Sequence, residues 1–421
     1  MTELLLHYIW QHQLYNSAQL LTITGLPVQV LKVGTHNTNA GPDFSNAQLI
    51  IDNVTLVGNV ELHINASDYL KHQHQHNPVY NNIILHVVLN NDKDIALHNV
   101  ETVELKHLLN RGVEAKYEQL MTQNKLLCAA QISTVPQHLL NTYLESLTIE
   151  RLSTKVHDIE TTLTRNNNNW EQTFFIYLCR ALGAPINSDA FQLLAQSIDV
   201  QLLTKHKNNL LQLEALLLGQ AGFLTPRATT ADGYHAQLIN EYTYLKSLYQ
   251  LQPLEASVWK YMRLRPAHFP TVRLAQLASI IHGATHLFSQ LIEALSVKQC
   301  YPLFDVEPSA YWLTHYQLGV PSSVRIKGLG TSTINTILIN TVVPLLFAYG
   351  NYTQSEPAKE KAYNWLCAIA PEKNSIITCF TQAHVQPNDA AQSQALIQLY
   401  KNKCTHKQCL QCVVGNYVLK V

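Results

Sequence analysis

The chain has 421 residues, with 29 Lys+Arg against 29 Asp+Glu, so its formal net charge is zero; 14% of its residues are charged and 47% are apolar. That length holds two or three domains with cores of their own, and the apolar share excludes disorder driven by low hydrophobicity. Neutrality excludes a globally basic coat for nucleic acid but leaves room for a local basic groove. The 20 histidines are the compositional oddity, because imidazole suits metals and proton transfer near neutral pH. The opening MTELLLHYIWQHQLY shows neither a basic n-region nor a small-residue cleavage site. Eight cysteines are too sparse for a disulfide framework. A reduced, cytoplasmic setting is therefore expected.

In chain order, Leu4, Leu5, Tyr8, Ile9 and Leu14 fit one face of a helix. Strand-like runs follow at 28–33, 47–51, 54–64 and 83–89, separated by Gly, Asn, Asp and Pro turns. Asp52-Asn53 predicts a tight hairpin, and Ser67 caps a short helix through Lys71. The predicted order is helix, three strands, short helix, strand. From about Pro136 onward the periodicity is helical, as at 137–164, 170–182, 237–251, 273–281 and 390–401. The longest apolar stretch, 334–349, is interrupted by Asn335, Asn340 and Pro344, and reads as a buried helix rather than a membrane span. The expected fold is α+β: a small N-terminal α/β domain over 1–130, then a large all-α region over 131–421 that ends in a cysteine cluster. Through Ala130 there are 7 basic and 11 acidic residues, net −4 (7 − 11); the remainder has 22 and 18, net +4 (22 − 18). Such a split is compatible with an acidic metal site and separate phosphate contacts.

Gly41-Pro42-Asp43-Phe44 precedes the second strand, and the third contains Gly58-Asn59-Val60-Glu61-Leu62-His63. Alternation places Glu61 and His63 on one face of that strand, with Val60, Leu62 and Ile64 on the other. If Asp43 meets that polar face, two carboxylates form a hard-oxygen site suited to Mg²⁺ or Mn²⁺. The bland reading is Asp43 capping a turn and Glu61 solvated on its strand. The element order, with Pro-Asp before one strand and an acidic-x-basic triplet on the next, resembles the PD-(D/E)XK nuclease core. That resemblance implies a restriction-endonuclease-like domain in which Asp43, Glu61 and His63 are catalytic, Asp43 and Glu61 hold the metal, and nucleic acid is the substrate. The family has lysine at the third position, where its charge positions water and stabilises the transition state. His63 departs from that pattern; a neutral imidazole can serve as base or third ligand, but it is not a permanent cation.

Downstream, Lys71-His72-Gln73-His74-Gln75-His76 alternates histidines on one side of an extended segment, a pattern for Zn²⁺ or Mn²⁺ as well as for a solvated loop. His72 and Tyr80 are carried forward as substrate-binding candidates, whereas His86, inside an apolar strand, is expected to be a hydrogen-bonded core histidine. Arg263, Arg265 and Arg273 sit among aromatics and prolines, suiting phosphate contact and base stacking, or pairing with internal carboxylates. The tail carries Cys404, Cys409 and Cys412, with His406 between them, and a metal site there lacks one ligand that His406 or Cys128 would supply to Zn²⁺ or an iron–sulfur cluster. Some nucleases of the resembled superfamily join one cysteine near the core to three at the end in an iron–sulfur clasp, and this layout looks similar with different spacing; free reduced thiols are the alternative. The phrases NAGPDFSNAQ, GNVELH, GQAGFL and RPAHFPTVRLAQLA, with the cysteine tail, resemble an uncharacterised family of bacterial proteins nearly end to end. The expected function is metal-dependent phosphodiester hydrolysis. An inactive nucleic-acid- or protein-binding descendant, or a histidine-based hydrolase of another substrate, are the alternatives.

Overall fold

The computed structural model describes residues 1–37, 41–72, 80–95, 100–110, 112–121, 126–224, 232–284 and 286–420. The chain forms two compact units: Met1–Asn141 with Cys379–Val385 and Leu399–Val421, and Thr142–Thr378 with Gln386–Gln398. The expected division at residue 130 grouped the cysteine tail with the helices. In the structure, the tail instead packs within the first unit, where Val414 and Leu419 are 1% exposed.

The first unit opens with α1 (Glu3–Gln11), whose N-cap Thr2 accepts the Leu5 N–H and whose Leu5, Leu6, Ile9 and Trp10 are fully buried. The sheet contains β1 (Val28–Lys32), β2 (Thr35–His36), β3 (Phe44–Ile51), β4 (Val54–Asn65), β5 (Ile83–Asn90) and β6 (Glu101–Glu104), with α2 (Asp68–Lys71) between β4 and β5 and α3 (Val113–Met121) after β6. Its order is β1-β3-β4-β5-β6, with β2 on β3. β3 runs antiparallel to its neighbours β1 and β4, while β4–β5 and β5–β6 run parallel. Asp52 and Asn53 have φ of 46° and 66°, and Ile51 pairs with Val54, so a two-residue turn with both centres left-handed closes the β3–β4 hairpin. A parallel partner needs a crossover, and the segment containing α2 supplies it between β4 and β5. Along β4 both faces are covered: Val60 and Leu62 are fully buried in the apolar core, and Glu61 and His63 are buried opposite them.

The second unit is built almost entirely of helices around a single apolar core that includes Phe191, Leu194, Leu216, Trp312 and Leu345. Gly219 of helix Leu210–Gln220 lets the ring of Tyr242, in helix Gly233–Tyr249, lie against its backbone. The apolar helix over Thr331–Tyr352 is long enough to cross a membrane by length and composition, yet 67% of its apolar window is buried inside the protein. It is a core helix, as Asn340 and Pro344 suggested, and it loosens into a π turn at Leu338–Val342.

Candidate functional site

Asp43 stands at the head of β3 and Glu61 lies in β4, and the pairing of Phe44 with Val60 fixes one against the other. The two are joined reciprocally. The Leu62 N–H donates to Asp43 Oδ2 at 2.8 Å, and the Asp43 N–H donates to Glu61 Oε2 at 3.2 Å. Asp43 therefore does more than cap a turn, and Glu61, 4% exposed, is not a solvated strand residue. Burial, and then the charge of Asp43, push the Glu61 carboxyl up to about 8 against the pull of the Asp43 N–H.

In the sequence, α1 shows itself by its apolar stripe. The structure brings its polar side to the same place. Burial and then the charge of Asp43 raise the Glu3 carboxyl. His7, four residues on and hence on the same helix face, sets Nε2 3.4 Å from Asp43 Oδ2 and Nδ1 3.4 Å from His36 Nε2. Among the described residues, the buried Nε2 of His7 has this carboxylate contact but no hydrogen-bond partner of good geometry. An i, i+4 acid–imidazole pair on α1 was the available signal; His36, on the two-residue β2, had none.

His63, 1% exposed, is the middle of three imidazoles. Its Nδ1 is 3.0 Å from His86 Nε2, its Nε2 is 3.2 Å from His72 Nδ1, and Glu61 Oε1 lies 3.9 Å from the same Nε2. A neutral imidazole donates from one nitrogen and accepts at the other, so this chain satisfies His63 at both. His86 is the buried, hydrogen-bonded histidine expected, with a site residue as its partner. Tyr69 of α2 packs its ring edge-on to His63 and His86. His72 is exposed at the other end of the chain. The phenol of Tyr80 is raised by burial and then by the charges of Glu61 and Asp43, whose field it feels. His74 and His76 lie outside the described residues.

Two carboxylates, one of them buried, with an imidazole nitrogen 3.4 Å from the other, are donors of the kind a hard divalent cation takes. Among the described residues, no three His, Cys, Asp or Glu side chains already stand as a ready-made ligand set for one ion.

A model of a family described as a protein of unknown function, DUF2851, matches residues 3–375. The chain belongs to this family. No curated protein and no solved structure matches. The DUF2851 match contains Asp43, Glu61, His63 and the arginine segment, and ends before Cys404.

The arginines lie in the second unit. Arg263, at φ 65°, and Arg265 are exposed. Arg273 is not a surface phosphate contact: it is 6% exposed, its guanidinium donates to Gln276 Oε1 at 2.8 Å and meets His268 Nδ1 at 2.7 Å, and burial lowers it to about 10. The first turn of helix Pro270–Gly283, which carries it, is turned into the core. In the first unit, Cys128, Cys404, Cys409 and Cys412 line one small cavity, and all eight cysteines of the chain are free of disulfides. His406, between them in sequence, is exposed and does not line it.

Proposed function

We propose that this DUF2851 protein is a metal-dependent nuclease-like hydrolase acting on the phosphodiester bonds of nucleic acid, with its site on the β3–β4 hairpin. One observation carries the reading: Asp43 and the buried Glu61, reciprocally hydrogen-bonded on adjacent strands, in the position that the PD-(D/E)XK resemblance implies. The element order α1, strands, α2, β5 supports the same restriction-endonuclease-like identity. Asp43 and Glu61 would hold Mg²⁺ or Mn²⁺, with His7 beside them. Such an ion supplies charge neutralisation at a phosphate and a more acidic water. The chain's own work is electrostatic and positional. Asp43 and the buried Glu61 set two carboxyl groups side by side, where a bound cation would favour the ionised form of Glu61, and the Leu62 and Asp43 amides fix their directions. His63 holds a proton between His72 and His86, in reach of Glu61 Oε1. Because His72 opens to solvent, that chain offers a route by which a proton taken up near Glu61 leaves. Arg263 and Arg265 are the phosphate contacts of this reading.

Cleavage of single- and double-stranded DNA and RNA in Mn²⁺ tests it. Activity that survives unchanged in both Asp43→Ala and Glu61→Ala sinks the assignment. A second reading, a nuclease-like module that binds without cleaving, is favoured by one feature: both nitrogens of His63 are engaged by other imidazoles where the motif has a free-ended lysine. It predicts binding indifferent to chelator and lost in Arg263→Ala/Arg265→Ala.

A further inference from the structure

Cys128 meets three cysteines of the C-terminal stretch in the first unit, on three short irregular turns. Cys128 lies in the turn before the 3₁₀ segment Ile132–Thr134; Cys404 closes the π turn Tyr400–Cys404; Cys409 opens the 3₁₀ turn Cys409–Gln411; and Cys412 precedes helix Val413–Lys420. All four line one small cavity, with Leu127 and Gly415 among its other walls. Each turn costs regular hydrogen bonding, and a π turn is seldom kept without a local use. Gly415 shows how tightly the last turn is drawn: a Cβ there would lie 2.1 Å from the Cys409 carbonyl oxygen.

We infer that Cys128, Cys404, Cys409 and Cys412 form a four-thiolate site for a thiophilic metal centre, zinc or iron–sulfur, that fastens the C-terminal segment to the N-terminal unit. The site is separate from the acidic pair and does not depend on the nuclease reading. Four sulfur donors, with no carboxylate among the cavity's lining residues, select zinc or an iron–sulfur centre over Mg²⁺ or Mn²⁺. The spacing Cys404-x₄-Cys409-x₂-Cys412 gives three ligands from one short stretch, and Cys128 supplies the fourth from across the unit. The thiols ring the cavity without yet forming a ligand set for one ion, so binding draws the π turn and Cys128 together and orders them. Each thiol that ligates releases its proton, and metal binding is therefore coupled to both pH and folding.

The test is metal content and spectroscopy of the full chain purified without oxygen, and of chain reconstituted with Zn²⁺ alone or with iron and sulfide. About one zinc per chain in colourless protein, or iron and acid-labile sulfide in brown protein, supports the site and tells the two sources apart. In either case Cys409→Ser and Cys412→Ser are expected to lose at least tenfold in metal retention, while Cys367→Ser, an exposed thiol, retains it. Should the Ser variants fail to fold, thiol alkylation of the wild type decides. Four cysteines protected until a chelator is added, mapped to 128, 404, 409 and 412, support the site. No stoichiometric metal in any preparation, or alkylation of these four at the same rate with and without chelator, overturns it.

Discussion

Glu61 is the residue whose ionisation folding changes most usefully for a test. Its carboxyl has an ordinary value of 4.5 when the chain is unfolded and about 8 in the folded, metal-free protein, because burial and Asp43 oppose its charge. The folded state therefore holds a proton that the unfolded state has released between those values. Its contribution to stability is fully present below about pH 4.5 and is lost as pH rises through 8. In chelator, the melting temperature of the wild type should fall across that window, by an amount on the order of a few kcal/mol in stability. Glu61→Gln, which carries no charge, should flatten the fall; an equal slope in both proteins refutes the assignment. Mn²⁺ should raise the melting temperature at pH 8 in the wild type and not in Asp43→Asn, since a ligand that binds only the folded state stabilises it. His63→Ala should cost about 1–3 kcal/mol in denaturant melts by leaving His86 and His72 without their shared partner. The pairing of Glu61 with His63 on one face was legible because alternation along a strand is fixed by backbone geometry. The meeting of Glu3, His7 and His36 with Asp43 was not, because it depends on how α1 and β2 settle on the sheet, and no local periodicity encodes that.

At the scale of elements, the β3–β4 hairpin was legible from two residues. Asp52 and Asn53 are side chains that tolerate left-handed backbone, and the apolar runs on either side have matching lengths. The parallel pairing of β4 with β5 was not, since it needs contact across a crossover of almost twenty residues. The four-residue β6, Glu-Thr-Val-Glu, was also missed: it buries only Val103 and carries a charge at each end. Gly58 shows what the parallel pairing demands. A Cβ on it would lie 2.5 Å from Ile84 Cγ2 and 2.7 Å from the Asn82 carbonyl oxygen, so β5 sits directly over its α-carbon. Gly58→Ala should force the two strands apart and destabilise the first unit by about 1–3 kcal/mol or more. Urea melts would read this as a lower midpoint. Hydrogen exchange should place the loss in β4 and β5, with helix Leu210–Gln220 of the second unit unaffected. An unchanged midpoint would mean that the strands are not so closely paired.

For the whole molecule, the chain's two ends belong to one unit, and this is the arrangement composition gave least reason to expect. The helical texture of the last forty residues read as a continuation of the all-α region, because periodicity reports the type of an element and not its neighbours. In the structure the final helix, Val413–Lys420, packs with α3, and Tyr8 of α1 sends its hydroxyl toward the Asn416 carbonyl oxygen at 3.5 Å. Leu410, Val414 and Leu419 are buried there. At roughly 1.5–3 kcal/mol for each buried side chain of this size, removing them takes on the order of 5 kcal/mol from the first unit, comparable to the whole stability of many domains. A chain ended after Gln398 should therefore not behave as a protein with a trimmed tail. Amides of α1 and of the sheet should lose hydrogen-exchange protection by orders of magnitude, and limited proteolysis should cut within residues 1–141. Helices such as Leu210–Gln220 and Gly233–Tyr249, which belong to the second unit and contribute to its own core, should keep theirs. Equal protection of α1 in the full and shortened chains would show that the tail adds nothing to the unit it packs in. Loss confined to the first unit would mean that the acidic pair of Asp43 and Glu61 is held in shape by residues at least 338 positions away (399 − 61).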